Sequence, residues 1–193
     1  MPRAGLSADV IVREAARLVN EVGRDRLTLA ELATRFGVAQ PSLYKHVNGL
    51  DGLHALLAVK TLREVGETLR RAGTGKARSD ALTAVATAYR DYALSNAGCY
   101  AYVLRAPDPD DEALQAVASE ILSVLYDVFA GYGITGDDAV DAARFVRSAL
   151  HGFVSLELAD GFKMPRQVER SFERLVAATD QALATWATTL ATA

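Results

Sequence analysis

The stretch GVAQPSLYKHV, residues 37–47, gathers an amide (Gln40), two hydroxyls (Ser42, Tyr44), an ammonium (Lys45) and an imidazole (His46). Amides and hydroxyls can hydrogen-bond base edges, while phenol, ammonium and imidazole can reach phosphate oxygens. Pro41 offers an apolar contact to a thymine methyl. The stretch is entered through Gly37, suited to the left-handed end of a preceding helix, and Pro41, suited to a first helical turn. Val38, Leu43 and Val47 are the apolar residues that can tether it. Polar tips on a short helix of about three turns, braced from behind, are what reading a DNA major groove requires.

The bracing elements are legible upstream. A first helix begins after Ser7, a suitable N-cap, with Asp9 in its first turn. Ile11, Ala15, Leu18, Val19 and Val22 form its apolar stripe, and Gly23 stops it. In RLTLAELATRFG, Thr28 as N-cap and Glu31 three residues on make a capping box, with Leu27 and Leu32 as its hydrophobic staple. Thr28, at the positive end of that second helix, can place its hydroxyl or amide on a phosphate. Asn48 and Asp51 offer a capping arrangement for a long fourth helix, with a stripe of Leu50, Leu53, Leu57, Thr61, Val65 and Leu69, ending near Gly73. Two short helices joined by a glycine-containing turn, with a third before them, describe a helix-turn-helix.

Past GTGKARS the chain is richer in alanine and more acidic. Helices are expected at about 78–96, 110–131, 137–159 and 165–190, with a short piece at 99–105. Asp108, Pro109 and the acids after them read as a helix start. Val168, Phe172, Leu175, Thr179, Leu183, Trp186 and Leu190 repeat at helical spacing in the last helix. No run of alternating β-branched residues suggests a sheet, so the expected fold is all-α, with about nine helices.

Bulk properties narrow the class. Half of the 193 residues are hydrophobic and 23% are charged, as in a packed globule. One cysteine, Cys99, excludes an intrachain disulfide and a thiolate metal cage and suits a reducing cytoplasm. No leading segment resembles a signal peptide, and no stretch approaches the ~20 unbroken apolar residues of a membrane span. A cytoplasmic protein with no membrane association is expected. The net charge is −3, but residues 1–47 hold seven Lys/Arg against five Asp/Glu, and the remainder fourteen against nineteen. A mildly basic head on an acidic body suits a DNA-binding module with a separate partner domain.

LTLAELATRFGVAQPSLYKHV, with LVNEVG before it, resembles the N-terminal domain of the TetR (tetracycline-repressor) family of transcription regulators. The resemblance covers roughly residues 8–57, on T-x-x-x-[LI]-A, then G-V, then S-x-[LVI]-Y-x-[HY]-[FV]. It implies DNA contacts from Thr28, Gln40, Pro41, Ser42, Tyr44, Lys45 and His46. One departure is Leu50, where family members usually carry a phosphate-holding lysine. RSALHGFVSLELADGF, residues 147–162, resembles the C-terminal region of one TetR subgroup, with its R-x-x-x-H-G-[FL]-x-x-L-E pattern.

The resemblance implies a helix-turn-helix head, residues 1–47, and a helical ligand-binding and dimerisation domain, residues 48–193, with helix 48–72 connecting them. It further implies a homodimer paired through its last two helices, a palindromic double-stranded operator and release by a small-molecule effector. Ala142, Ala149 and Gly152 are small enough for close helix contact, and Phe153, Phe172, Leu183 and Trp186 supply anchors. Tyr89, Tyr92, Cys99, Tyr100, Tyr126 and Phe129 are candidates to line the effector cavity, with Arg147 or His151 as polar contacts. No cofactor is expected.

Other readings have less support. The three histidines lack metal-ligand spacing, DPDDE lacks the pattern of a calcium loop, and no nucleophile elbow, P-loop or dinucleotide fingerprint appears. An enzyme is therefore not expected. A helical dimer whose head no longer binds DNA, acting as a ligand-binding or protein-interaction module, is the alternative; Leu50 speaks for it and the 40–46 pattern against it.

Overall fold

The structure, a computed structural model, describes residues 5–104 and 110–186. Regular structure among these residues is helical throughout. Eight α-helices run α1 Ala8–Val22, α2 Leu29–Phe36, α3 Gly49–Gly73, α4 Arg78–Ser95, α5 Ala97–Tyr100, α6 Glu112–Ala130, α7 Gly136–Leu158 and α8 Val168–Ala184. Two 3-10 helices, Arg24–Arg26 and Gln40–Lys45, complete the described elements.

The chain divides into two compact units, one of residues up to Glu64 with Asn96–Val117, the other of Val65–Ser95 with Ala118 onward. This differs from the boundary at 47 expected from sequence. The reason lies in the first core, where Leu53 and Leu57 from α3 and Cys99 and Tyr102 from further on pack with Ile11, Leu18, Leu32 and Leu43. Burying these side chains completes a core that residues 1–47 cannot close alone.

Local chemistry sets the ends of the first elements. The Ser7 hydroxyl accepts from the Val10 amide and starts α1. The Thr28 hydroxyl accepts from the Glu31 amide at 3.2 Å and starts α2, while Leu27 and Leu32 are buried behind it. Gly37, at φ +63, ends α2, and the Val38 amide reaches back to the Ala33 carbonyl, closing a Schellman turn. Arg35 ties α2 to α1 through Glu14 at 3.2 Å and Glu21 at 2.5 Å. The helix start foreseen at Asp108 and Pro109 lies outside the described residues. The cap of α6 is Asp111, whose carboxylate accepts from the Leu114 amide at 3.0 Å. Over its most apolar 18 residues α6 has a mean hydropathy of 1.4, long and apolar enough by length and composition to cross a membrane.

The segment after α4 docks on α1 with no space to spare. Asn20 accepts from the Cys99 amide at 2.9 Å and donates to the Asn96 side chain, so a residue of α1 caps the start of α5. A Cβ on Gly98 would stand 2.0 Å from the Val19 carbonyl oxygen. The obstacle is backbone, which no rotamer change relieves. Gly98→Ala is therefore expected to destabilise the protein by about 3 kcal/mol or more, at the upper end of overpacking costs. A denaturant midpoint unchanged from the parent would contradict this packing.

His54 on α3 also faces this segment. Its Nδ1 lies 2.6 Å from the Tyr102 hydroxyl, and the Arg24 guanidinium sits 5.1 Å over the Tyr102 ring. Burial, then the Arg24 charge, lowers the His54 pKa from 6.5, and burial pushes the Tyr102 phenol up to about 12. The folded state thus binds fewer protons than the unfolded chain just below pH 6.5, so this site loses stability as the pH falls through that window. His54→Gln should flatten the fall in melting temperature between about pH 7 and 5 seen for the parent. Identical slopes would show that His54 does not titrate this way.

Candidate nucleic-acid interface

The Gln40–Lys45 element is built to show one face. Leu43 is fully buried and Val47 nearly so, in a core with Leu29, Leu32, Leu53 and Leu57. Gln40, Pro41, Tyr44 and Lys45 are exposed, and Ser42 and His46 are half-buried. The element is a 3-10 helix of six residues rather than three turns of α-helix. The Ser42 amide bonds the Ala39 carbonyl and the His46 amide the Leu43 carbonyl, each three residues back, while Pro41 sits in the first turn, where no amide is needed. An α-type bond from the Val47 amide to the Leu43 carbonyl, 3.0 Å, follows at its end. With α2 and the Gly37 turn, it forms a helix-turn-helix.

Gln40 donates through Nε2 to the Tyr44 hydroxyl at 3.4 Å. Thr28 is exposed at the amino end of α2; its oxygen is occupied by the Glu31 amide, but its hydroxyl hydrogen can still be donated. Leu50 packs half-buried against the first core. A groove beside the element is walled by residues 44–48 on one side and by Gly52, Ala55, Leu56, Val59, Asp111 and Ala113 around the rest. Asp111 thus sets a carboxylate at the rim of the surface that carries Lys45 and His46. Among the described residues no group of three or more His, Cys, Asp or Glu could hold a metal.

The second unit sorts the remaining candidates. Tyr89 on α4 and His151 on α7 approach to 3.3 Å, and the Ser155 hydroxyl lies 3.4 Å from the other ring nitrogen. Burial, then the Arg147 charge, lowers the His151 pKa, so this ring favours its neutral form. Tyr92 is half-buried one turn beyond Tyr89, and Arg147 is exposed one turn before His151. Cys99 and Tyr100 belong to the first unit, where both are buried and the Cys99 Sγ lies 3.5 Å from the Ala16 carbonyl. Phe129 is fully buried as core of the second unit, and Tyr126 is exposed on α6.

The dimer candidates divide in the same way. Ala142, Phe172 and Leu183 are buried within their own unit, so their apolar surface is already spent. Phe153 is half-buried and packs on Phe162 and Phe172, with ring centroids 4.8 and 5.4 Å away. Ala149, Gly152 and Trp186 retain surface, and they align with Phe145 and Leu156, which sequence reading passed over. Phe145 and Leu156 are 39% and 52% exposed, and the Phe145 and Trp186 rings lie 5.7 Å apart. The missed signal was a second stripe on α7, one position from the buried one.

A residue that sequence analysis left unassigned holds this unit together. Arg90, 7% exposed, donates to both carboxylate oxygens of Glu157 at 2.8 and 2.7 Å and to Glu169 at 2.5 Å. Its guanidinium also lies 4.7 Å from the centre of the Phe172 ring. These partners hold Arg90 firmly charged. Glu157 is the glutamate that ends the HGFVSLE pattern.

A helix-turn-helix with exposed hydrogen-bonding tips, in a chain whose other unit is also helical, defines a class of DNA-binding regulators. Residues 11–48 match the model of bacterial regulatory proteins of the tetR family, and residues 82–179 match a tetracyclin repressor-like C-terminal domain. The helix-turn-helix transcriptional regulator Rv0681 of Mycobacterium tuberculosis, itself uncharacterised, is 38% identical over 160 residues, 80% of this chain and 72% of its own. YobS of Bacillus subtilis, another uncharacterised regulator of this type, is 31% identical over 88% of each chain. The crystal structure of Mycobacterium smegmatis BioQ shares the fold, with a TM-score of 0.69 and 24% identity over 93% of this chain and 99% of that one. The chain belongs to the TetR family of helix-turn-helix transcriptional regulators.

Proposed function

We propose that this protein is a cytoplasmic homodimeric repressor that binds a palindromic operator and is released by a small-molecule effector. The observation that carries this reading is the division of residues 40–47: Leu43 and Val47 buried, Gln40, Tyr44 and Lys45 outward, on an element fixed against two helices. A groove-reading helix needs that combination of rigid support and exposed tips. Gln40, Pro41 and Ser42 address bases; Thr28, Tyr44, Lys45 and His46 address phosphates. Two copies joined by a two-fold axis place two such elements on successive major grooves, which is why the operator is a palindrome.

The dimer forms through the exposed stripe of α7, Phe145, Ala149, Gly152 and Leu156, with Trp186 after α8. Family members bind DNA and small-molecule ligands, typically as dimers. The effector site includes the Tyr89, Tyr92, Arg147 and His151 group, which carries the histidine of the R-x-x-x-H-G subgroup pattern; nothing in it specifies tetracycline. Binding there works by shifting α3, whose residues contribute to both units, and so changes the separation of the two heads. The effector must bind the DNA-incompetent state better than the competent one, or it shifts nothing.

Capture of genomic fragments by the purified protein tests the reading. A recurring palindrome is expected, with Lys45→Ala weakening binding to every fragment and lowering the salt slope by about one. Recovery of unrelated fragments at equal strength would favour a head that no longer reads DNA.

A further inference from the structure

Tyr44 is 55% exposed and leaves the core to Leu43 and Val47. Its hydroxyl accepts a hydrogen bond from the Gln40 amide, Nε2 to Oη at 3.4 Å, from four residues back on the outward face. We infer that Tyr44 is a positioning residue for base reading, orienting the Gln40 amide so that it presents a paired acceptor and donor to adenine. The inference rests on the DNA-binding reading above and deepens it by naming the base and the device that selects it.

A primary amide has one carbonyl oxygen and two N–H bonds. With one N–H given to Tyr44, the carbonyl and the N–H beside it remain. That pair matches the major-groove edge of adenine, whose N6–H donates to Oε1 and whose N7 accepts from Nε2. The opposite orientation, with Oε1 toward Tyr44, would leave two N–H groups facing the base, a better match for the two acceptors of guanine.

Phosphate contact decides between them. A phosphate oxygen only accepts, so a Tyr44 hydroxyl bound to phosphate spends its one hydrogen there. Its oxygen can then only accept from Gln40, which fixes the amide in the adenine-reading orientation. The backbone contact and the base contact become one hydrogen-bonded chain, phosphate to Tyr44 to Gln40 to adenine, whose members reinforce one another. Because the Gln40–Tyr44 bond exists before DNA arrives, part of the ordering cost of a flexible glutamine is met in the free protein.

Selection from a randomised duplex library, with the parent, Tyr44→Phe, Gln40→Ala and the double variant, tests this. Both residues are exposed, so neither substitution removes core packing. The parent should prefer A·T at one position of each half-site by about tenfold or more. Tyr44→Phe should erase that preference, leave the other positions intact and weaken binding overall. Gln40→Ala should broaden the same position, and the double variant should broaden it no further. If Tyr44→Phe weakens all sequences equally and keeps the adenine preference, Tyr44 is a phosphate contact alone and the inference is overturned. It is equally overturned if Gln40→Ala broadens a different position. A parent that enriches no sequence would remove the DNA-binding reading and the inference together, an outcome distinct from those two because there the parent still selects.

Discussion

Gly152→Arg is expected to yield a monomer whose affinity for a palindromic operator is lower by about 100-fold or more, because the second head no longer binds as an intramolecular event. Gly152 is exposed on α7, and a Cβ there would meet no atom of its own chain within 4 Å. The substitution therefore has room in the protomer, and replacing glycine inside a helix favours the helix. Its penalty falls on a partner. Phe145 and Leu156 lie about two turns and one turn away on the same exposed face, so arginine enters the middle of the apolar stripe. In a two-fold contact the same substitution comes from both sides, doubling the desolvated charge. Light scattering after size exclusion gives the oligomeric state, and anisotropy gives the affinity. A variant that stays dimeric and binds as the parent does would move the interface elsewhere.

Glu157→Ala should cost about 3–5 kcal/mol of stability, because it leaves the Arg90 guanidinium buried without its bidentate partner. Glu169 cannot replace it: that side chain is 62% exposed, where an ion pair gains little. At roughly 2–4 °C per kcal/mol for a chain of this size, the melting temperature should fall by about 6–20 °C. The companion experiment separates pairing from packing. Arg90→Met with Glu157→Leu removes both charges and keeps most of the volume, so it should recover much of the loss. A double variant as unstable as Glu157→Ala would mean that the stability comes from packing around the site and not from charge.

Sequence made some of this legible for identifiable reasons. Caps are local: Ser7, Thr28 and Gly37 act within four residues of themselves, and each does in the structure what its type dictates. The recognition element was equally visible, because Leu43 and Val47 alternate with polar residues at helical spacing, although it winds more tightly than an α-helix. Non-local pairing was hidden. Arg90 meets a carboxylate 67 residues away, and a sequence gives no reason to choose Glu157 for it over any other acid. The surroundings of Cys99 were hidden for the same reason: its neighbour in sequence is the end of α4, and the partners it bonds in space are Ala16 and Asn20. On α7 both stripes repeat with helical period, so periodicity could not tell that Ala142 faces inward and Leu156 outward. Burial decides that, and burial belongs to the folded chain.

The central claim is that the face carrying Gln40, Tyr44 and Lys45 reads duplex DNA as half of a symmetric pair. Anisotropy of the purified protein on a palindrome recovered by genomic capture, beside a scrambled duplex of equal length and composition, tests it at several salt concentrations. The account predicts binding to the palindrome at least about 10³-fold tighter than to the scrambled duplex, weakening steeply as salt rises. Equal and weak binding to both duplexes at every salt concentration would contradict it.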